Sequence, residues 1–260
     1  MKENKFNHRE YYRNLIANYP DGPQYSMRDP FIRASETRFI LDQLTKRPVD
    51  QFLDLGCGNG HTLEILSREF SGMDLYGCEM LPEQIQILSR KKIPRSHIVQ
   101  HDLSQGLPFS MGFKAICLQR VLINLKTHRD QVDLLVQVCQ KLERGGLLIL
   151  IESFVAPMVN LNRARKEVGL DSIAPSDQNL YLRYPKLLDK LSRQGMRKLT
   201  CEKTENYLST HFFVTRVIHP LLRPSGGKVE GTHLVNFFVE GMGPGVGEYS
   251  PIKMLCFLKK

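Results

Sequence analysis

The order of apolar runs and helical patterns predicts an α/β fold, a doubly wound and mostly parallel seven-stranded sheet carrying helices on both faces. Three observations point there. Short apolar, strand-like runs alternate with stretches of helical periodicity through most of the chain. The first strand-like run, residues 49–55, leads directly into DLGCGNG at 54–60, with Gly56, Gly58 and Gly60 in five positions. A helical pattern resumes at once after those glycines. Strands separated by helices give parallel pairing with right-handed crossovers. A glycine cluster is explained by positive φ angles or by something that approaches the main chain closely, and both explanations stand at this stage.

The elements follow in order. Residues 1–30 are expected to form an N-terminal helical lid, with a polar helix over 7–18 and the turn-rich stretch YPDGPQYSMRDP. Tyr11, Tyr12 and Tyr25 would close it over a ligand. A helix over 31–45 carries Phe31, Ile32, Phe39, Ile40, Leu41 and Leu44. After the strand at 51–55, Leu63, Ile65, Leu66 and Phe70 recur at helical spacing, with Asn59 as the expected N-cap. A strand at 74–78 precedes a helix opened by Pro82, and further strands fall at 98–101 and 115–119. A helix over 128–142, a turn at Gly145-Gly146 and a strand at 147–154 come next. Residues 184–194 read as helix, 198–206 as strand and 251–258 as a final strand. The pattern weakens near 156–180 and 207–247, which are expected to be substrate-covering insertions in one domain over 31–260.

Composition narrows the classes. No apolar run approaches the ~20 residues that span a bilayer. The polar start MKENKFNHREYYRN lacks the apolar core of a signal peptide, which predicts a cytoplasmic protein. The six cysteines, at 57, 78, 117, 139, 201 and 256, form no CxxC pair and read as free thiols rather than metal ligands or disulfides. The net charge of +9 favours anionic partners, but Lys and Arg are spread along the chain rather than gathered into one tract.

The glycine spacing is G-x-G-x-G, tighter than the G-x-G-x-x-G of dinucleotide folds, and suits a ligand passing close to the turn without a pyrophosphate on the helix. A carboxylate at the end of the second strand can accept from both ribose hydroxyls, and Glu79 in YGCEML sits there. A polar group after the third strand suits adenine, and His101-Asp102-Leu103 supplies it.

These segments, with ICLQRVLINL at 116–125 and LERGGLLILIES at 142–153, resemble class I S-adenosylmethionine-dependent methyltransferases over residues 30–155. The resemblance implies S-adenosylmethionine as cofactor. Asp54, Gly56, Gly58 and Gly60 would shape the methionine and ribose pocket, Glu79 would hold the ribose hydroxyls and Met80 would line the same pocket. Asp102 would meet the adenine amino group, Leu103 would pack on the ring, and Gln119 and Arg120 would line the cofactor from strand four. Arg33 would reach the cofactor carboxylate, with a plain surface position as its alternative. Asp54 and Asp102 also have bland readings, as a hydrogen-bond partner of the glycine turn and as a turn cap.

The implied reaction is in-line methyl transfer to an O or N nucleophile, in which positioning supplies much of the rate and an oxygen nucleophile also needs a base. His211, in NYLSTHFFVTRVIHP, is the leading base, set against an ordinary core histidine; Glu152 is second, and His219 and His233 follow. The stretch 152–182 with 205–220 resembles the C-terminal part of bacterial methyltransferases associated with surface-glycan and sugar biosynthesis. In that likeness Asn179, Tyr181 and Ser209 face the acceptor. A small-molecule acceptor, a sugar or glycan precursor, is therefore expected. An RNA methyltransferase and a non-catalytic binding or scaffold protein are the alternatives. Two nucleic-acid routes are disfavoured, because QRVLIN after strand four lacks a [DNS]PP[YFW] segment and Cys117 follows Ile116 rather than a proline.

Overall fold

Asp29 and Pro30 open helix α1 (Pro30–Lys46): the Asp29 carboxylate accepts from Phe31 N and Ile32 N at 3.0 and 3.3 Å, and the proline fixes φ in the first turn. Ile32, Phe39, Ile40 and Leu44 face inward from it. The computed structural model describes residues 10, 13, 14, 27–222 and 232–260. Tyr11, Tyr12 and Tyr25, most of the expected lid over 1–30 and residues 223–231 lie outside the described residues. Arg13 is described, and its guanidinium donates to Glu83 at 2.8 Å.

Strands and helices then alternate: β1 (Gln51–Leu55), α2 (His61–Glu69), β2 (Asp74–Glu79), α3 (Pro82–Arg90), β3 (Ser96–Gln100), β4 (Phe113–Gln119), α4 (His128–Lys141), β5 (Leu142–Ser153), α5 (Val155–Glu167), α6 (Tyr184–Arg193) and β6 (Met196–Lys198). After them come α7 (Glu202–Glu205), α8 (Ser209–Phe213), a π-helical segment (Val214–Ile218), α9 (His219–Leu222), α10 (His233–Met242) and β7 (Ile252–Lys259). The seven strands form one sheet in the order β3-β2-β1-β4-β5-β7-β6. The first five pair in parallel, whereas β7 runs antiparallel to both β5 and β6, so the sheet is mixed. The strand order reverses between β1 and β4, and in such sheets the crevice beyond the carboxyl ends receives ligands.

Side chains alternate across the sheet, so each face buries its own core. Phe52, Ala115, Cys117, Ile149 and Met254 pack under α1, α2 and α5. Leu53, Ile116, Leu118, Leu150 and Leu255 pack under α4 and α6. Cys57, Cys78, Cys117, Cys139 and Cys256 are buried free thiols and Cys201 is an exposed one.

Three expectations are corrected. The residue at the start of α2 is Gly60 rather than Asn59: it adopts the left-handed region at φ 75°, and no side chain caps the helix there. Gly145-Gly146 lies in a register irregularity within β5 instead of a turn before it, since the five-position step from Leu142 to Leu147 opposes the two-position step from Phe113 to Ala115. The strand read at 198–206 stops at Lys198, because Glu205 is drawn inside, where its carboxylate accepts from the Tyr184 hydroxyl and the Thr200 hydroxyl, and the chain turns into α7 to deliver it. Within the stretch 156–180, helix α5 turns Met158 and Leu161 toward the core.

Gly60 is the position where backbone freedom matters most. A Cβ there would lie 2.8 Å from Leu88 Cγ and 2.9 Å from its Cδ1, on a backbone already left-handed. Gly60→Ala is expected to destabilise the fold by about 2–4 kcal/mol, the sum of left-handed strain and overpacking, measured by urea denaturation.

Candidate functional site

The turn after β1 is wound so that Gly56, Gly58 and Gly60 all have positive φ, at 72°, 55° and 75°. Gly56 N and Cys57 N both donate to Cys78 O at the end of β2, at 2.9 and 3.0 Å. The Glu79 carboxylate accepts from Gly58 N at 3.1 Å and from Leu81 N at 2.9 Å, which ties the two strand ends together. Asp54 lies beneath this turn at 2% exposure. Burial, reinforced by the Glu79 charge, pushes its carboxyl up to about 7. Burial also raises Glu79, against the backbone N–H groups of Leu81, Gly58 and Met80. A buried and a half-buried carboxyl group beside a bare main chain suit a ligand that brings hydroxyl donors and positive charge.

Asp102 caps a short 3-10 turn over 103–105, its carboxylate accepting from Ser104 N at 3.0 Å, and Leu103 is half-buried beside it. His101 contacts Gly106 O at 2.9 Å. Arg33 donates to Met27 O at 3.2 Å and stands close to His61, which begins α2 directly after the glycine turn. Burial, with the charges of Lys91 and Arg33, holds His61 below its ordinary value.

At the end of β4, Gln119 Nε2 donates to Glu36 at 2.7 Å while its Oε1 accepts from the Thr62 hydroxyl at 3.4 Å. The Arg120 guanidinium pairs with the other oxygen of Glu36. Arg120 itself has φ 57°, a left-handed conformation that persists only where surroundings enforce it. The enforcement is visible: Arg120 N donates to Ile151 O, its carbonyl accepts from Asn124 Nδ2, and Val121 N and Leu122 N both donate to Glu152 Oε1 at 2.8 Å.

Glu152 therefore stands under this loop, fully buried, and holds it in place through one oxygen, while its other oxygen, Oε2, is buried with no hydrogen-bond partner among the described residues. Burial pushes its carboxyl up to about 8, against the N–H groups of Leu122, Val121 and Ile123. Asn179 and Tyr181 lie on a strip that packs against the same loop, through Leu180 N to Ile123 O at 2.8 Å and a bridge between Leu182 and Phe154. Tyr181 hydrogen-bonds Ser153.

His211 is buried at 2% exposure, stacked 4.3 Å from Phe31, with Nε2 2.7 Å from Asp29 Oδ2. Thr215 donates to the His211 carbonyl at 2.6 Å, which serves a group that the following π-helical winding alters. The Ser209 hydroxyl donates to Val246 O and accepts from Tyr249 N, both at 2.8 Å, and so pins the loop that precedes β7. His219 is buried and His233 is exposed. Asp29, Glu36 and the ion pair of Glu36 with Arg120 were not singled out from sequence. Their signals were an Asp-Pro helix start and an acidic residue on the apolar stripe of α1, between Ile32 and Phe39.

Residues 52–146 match the methyltransferase domain family, and that stretch runs from β1 into β5, enclosing the glycine turn, Glu79, Asp102 and Gln119. A stretch of 90 residues is 28% identical to the release factor glutamine methyltransferase of Dictyoglomus turgidum, covering 33% of this chain and 30% of that protein, so the match spans under a third of that relative's length. The fold is similar to that of the magnesium protoporphyrin IX methyltransferase of Synechocystis solved with S-adenosylhomocysteine, with TM-score 0.57 and 12% identity over 96% of this chain and 94% of that one. It is also similar to an S-adenosylmethionine-dependent methyltransferase of Clostridium acetobutylicum, with TM-score 0.58 and 13% identity over 95% and 98% of the chains.

The raised Glu152 carboxyl has a consequence for stability. Its folded value, about 8, exceeds its ordinary 4.5, so its contribution is present in full below about 4.5 and is lost as pH rises through about 8. Glu152→Gln, which keeps an oxygen for Val121 N and Leu122 N, is expected to flatten the fall in stability between pH 5 and pH 8. Guanidinium denaturation at the two pH values checks it.

Proposed function

We propose that this protein transfers a methyl group from S-adenosylmethionine to a small-molecule acceptor. The observation that carries the reading is the cradle at the ends of β1 and β2, where three left-handed glycines meet the Glu79 carboxylate inside the segment that matches methyltransferase domains. When bound, the cofactor supplies a methyl group already activated on a sulfonium. In this reading Glu79 holds the ribose hydroxyls, Asp54 lies beneath the turn as a buried carboxyl group, and Met80 lines the pocket. Asp102 and Leu103 receive the adenine, and Arg33, beside His61, receives the carboxylate. Gln119 and Arg120 form the wall toward the acceptor, with Asn179 and Tyr181 on the strip behind it. His211 is the base.

A sugar or glycan precursor is the acceptor we favour. It rests on the likeness of the C-terminal stretch to bacterial methyltransferases associated with glycan biosynthesis, and the +9 charge suits an acceptor that carries phosphate. Among the described residues no helix is long and apolar enough to cross a membrane.

Two measurements test the reading. Glu79→Ala is expected to weaken S-adenosylhomocysteine binding in calorimetry by at least tenfold, and parental affinity would remove the ribose role. Asp54 is half protonated near pH 7 in the free protein, so cofactor binding should release a proton there and affinity for S-adenosylmethionine should rise between pH 6 and pH 8. Transfer of labelled methyl into a fractionated cell extract then identifies the acceptor pool, with label in small molecules expected and label in RNA supporting the alternative.

A further inference from the structure

The side chain of Asp29 does two things at once. One oxygen accepts from Phe31 N and Ile32 N and so starts α1, while the other meets His211 Nε2 at 2.7 Å from a position far along the chain. An oxygen that accepts two backbone N–H groups belongs to a carboxylate. Burial pushes this acid up, but the hydrogen bond and charge of His211, the Ile32 N–H and the charge of Arg216 outweigh that and hold it below its ordinary value. A carboxylate can only accept, so Nε2 carries the proton in this pair. That leaves Nδ1, which is buried and has no hydrogen-bond partner among the described residues.

An unpaired buried ring nitrogen costs stability that a packing role would not explain. The groups described around it are engaged elsewhere: Thr215 donates to the His211 carbonyl, Arg216 donates to Thr215 Oγ1 at 2.6 Å, and Phe31 stacks on the ring. The helix that carries His211 is itself fixed from outside. Ser209 and Thr210 bond the loop before β7 on both strands of its turn, with Thr210 donating to Gly243 O at 2.7 Å and accepting from Val246 N at 3.1 Å. The ring is thus held in one plane and one place, and in its neutral form it keeps a lone pair on Nδ1.

We propose that Asp29 is the positioning residue that sets His211 as a base for a hydroxyl acceptor, so that this protein is an O-methyltransferase. The inference rests on the methyltransferase reading above and deepens it by naming the acceptor atom. The hydroxyl proton passes to Nδ1 while the oxygen's lone pair forms the new oxygen–carbon bond. The carbon–sulfur bond breaks with its electron pair left on sulfur, and the positive charge formerly on sulfur ends on the imidazolium. Asp29 stabilises that cation across the Nε2–H, the same division of labour that a buried carboxylate performs for histidine in acyl-transfer triads. An amine acceptor draws less from such an arrangement, because its lone pair attacks before its proton needs to leave.

The test uses the full chain, S-adenosylmethionine with a 13C-methyl group and the small-molecule fraction of a cell extract. Asp29→Asn is the informative variant, since asparagine is itself a strong N-cap and keeps the start of α1. It is expected to lower the maximal rate roughly 10²-fold, with the KM for S-adenosylmethionine and the affinity for S-adenosylhomocysteine unchanged. His211→Gln should give an equal or larger fall and serves in place of Asp29→Asn if that variant fails to fold. The labelled product should carry its methyl carbon at the chemical shift of an ether. Parental rates in both variants, or an N-methyl product, would overturn the proposal while leaving the methyltransferase reading intact. A parent that neither binds S-adenosylhomocysteine nor transfers label overturns the reading beneath it instead.

Discussion

A carboxylate withdrawn from water must collect donors, and that requirement organises the carboxyl edge of this sheet. Asp29, Glu36, Asp54 and Glu152 are each at most 4% exposed, and Glu79 stands beside them. Glu79 gathers Gly58 and Leu81, and the glycine turn closes over β2. Glu152 gathers Val121 and Leu122, and the loop after β4 bends far enough to force Arg120 into the left-handed region. Glu36 then receives the Arg120 and Gln119 side chains, which joins α1 to that loop. Asp29 joins α1 to α8 through His211. Remove the acids and the edge would have no reason to converge.

The sheet was legible because its signals are local. Apolar runs of strand length, Pro82 at a helix start and the glycines after β1 each act within a few residues. The strand order, the antiparallel sense of β7 and the register irregularity at Gly145-Gly146 depend on pairing between distant segments, which periodicity does not record. The same divide runs through the site. Glu79, Asp102 and Gln119 sit at strand ends, where position along the chain already places them at the carboxyl edge. Glu152 also sits at a strand end, but whether such a carboxylate faces a ligand or a loop is decided by the backbone of 121–122, and the sequence of that loop does not state its path. Ser209 reads the same as a substrate contact or as a loop anchor until Val246 and Tyr249 are brought beside it. Asp29 was hidden because its partner lies at the far end of the domain.

The C-terminal elements hang on a second buried charge. Lys253, on β7 and 2% exposed, places its ammonium against Asn206 Oδ1 and Glu248 and 5.0 Å from the centre of the Tyr184 ring. Tyr184 in turn donates to Glu205, which also pairs with Lys198. Through these contacts β7, α6, α7 and the loop that receives Ser209 and Thr210 form one body, and the plane of the His211 ring is referred to the sheet itself.

That arrangement sets the order in which the molecule can assemble. β7 lies between β5 and β6, although it follows both in sequence, so the gap it fills stays open until the late residues come home. Until then β5 presents Ile149, Ile151 and a row of unpaired main-chain groups along a free edge, the kind of surface on which chains add to one another. Pairings so remote in sequence are slow to form. The insertion of β7 is therefore the step at which folding competes with aggregation, and a chaperone that shields the β5 edge would gain most for this protein during that interval.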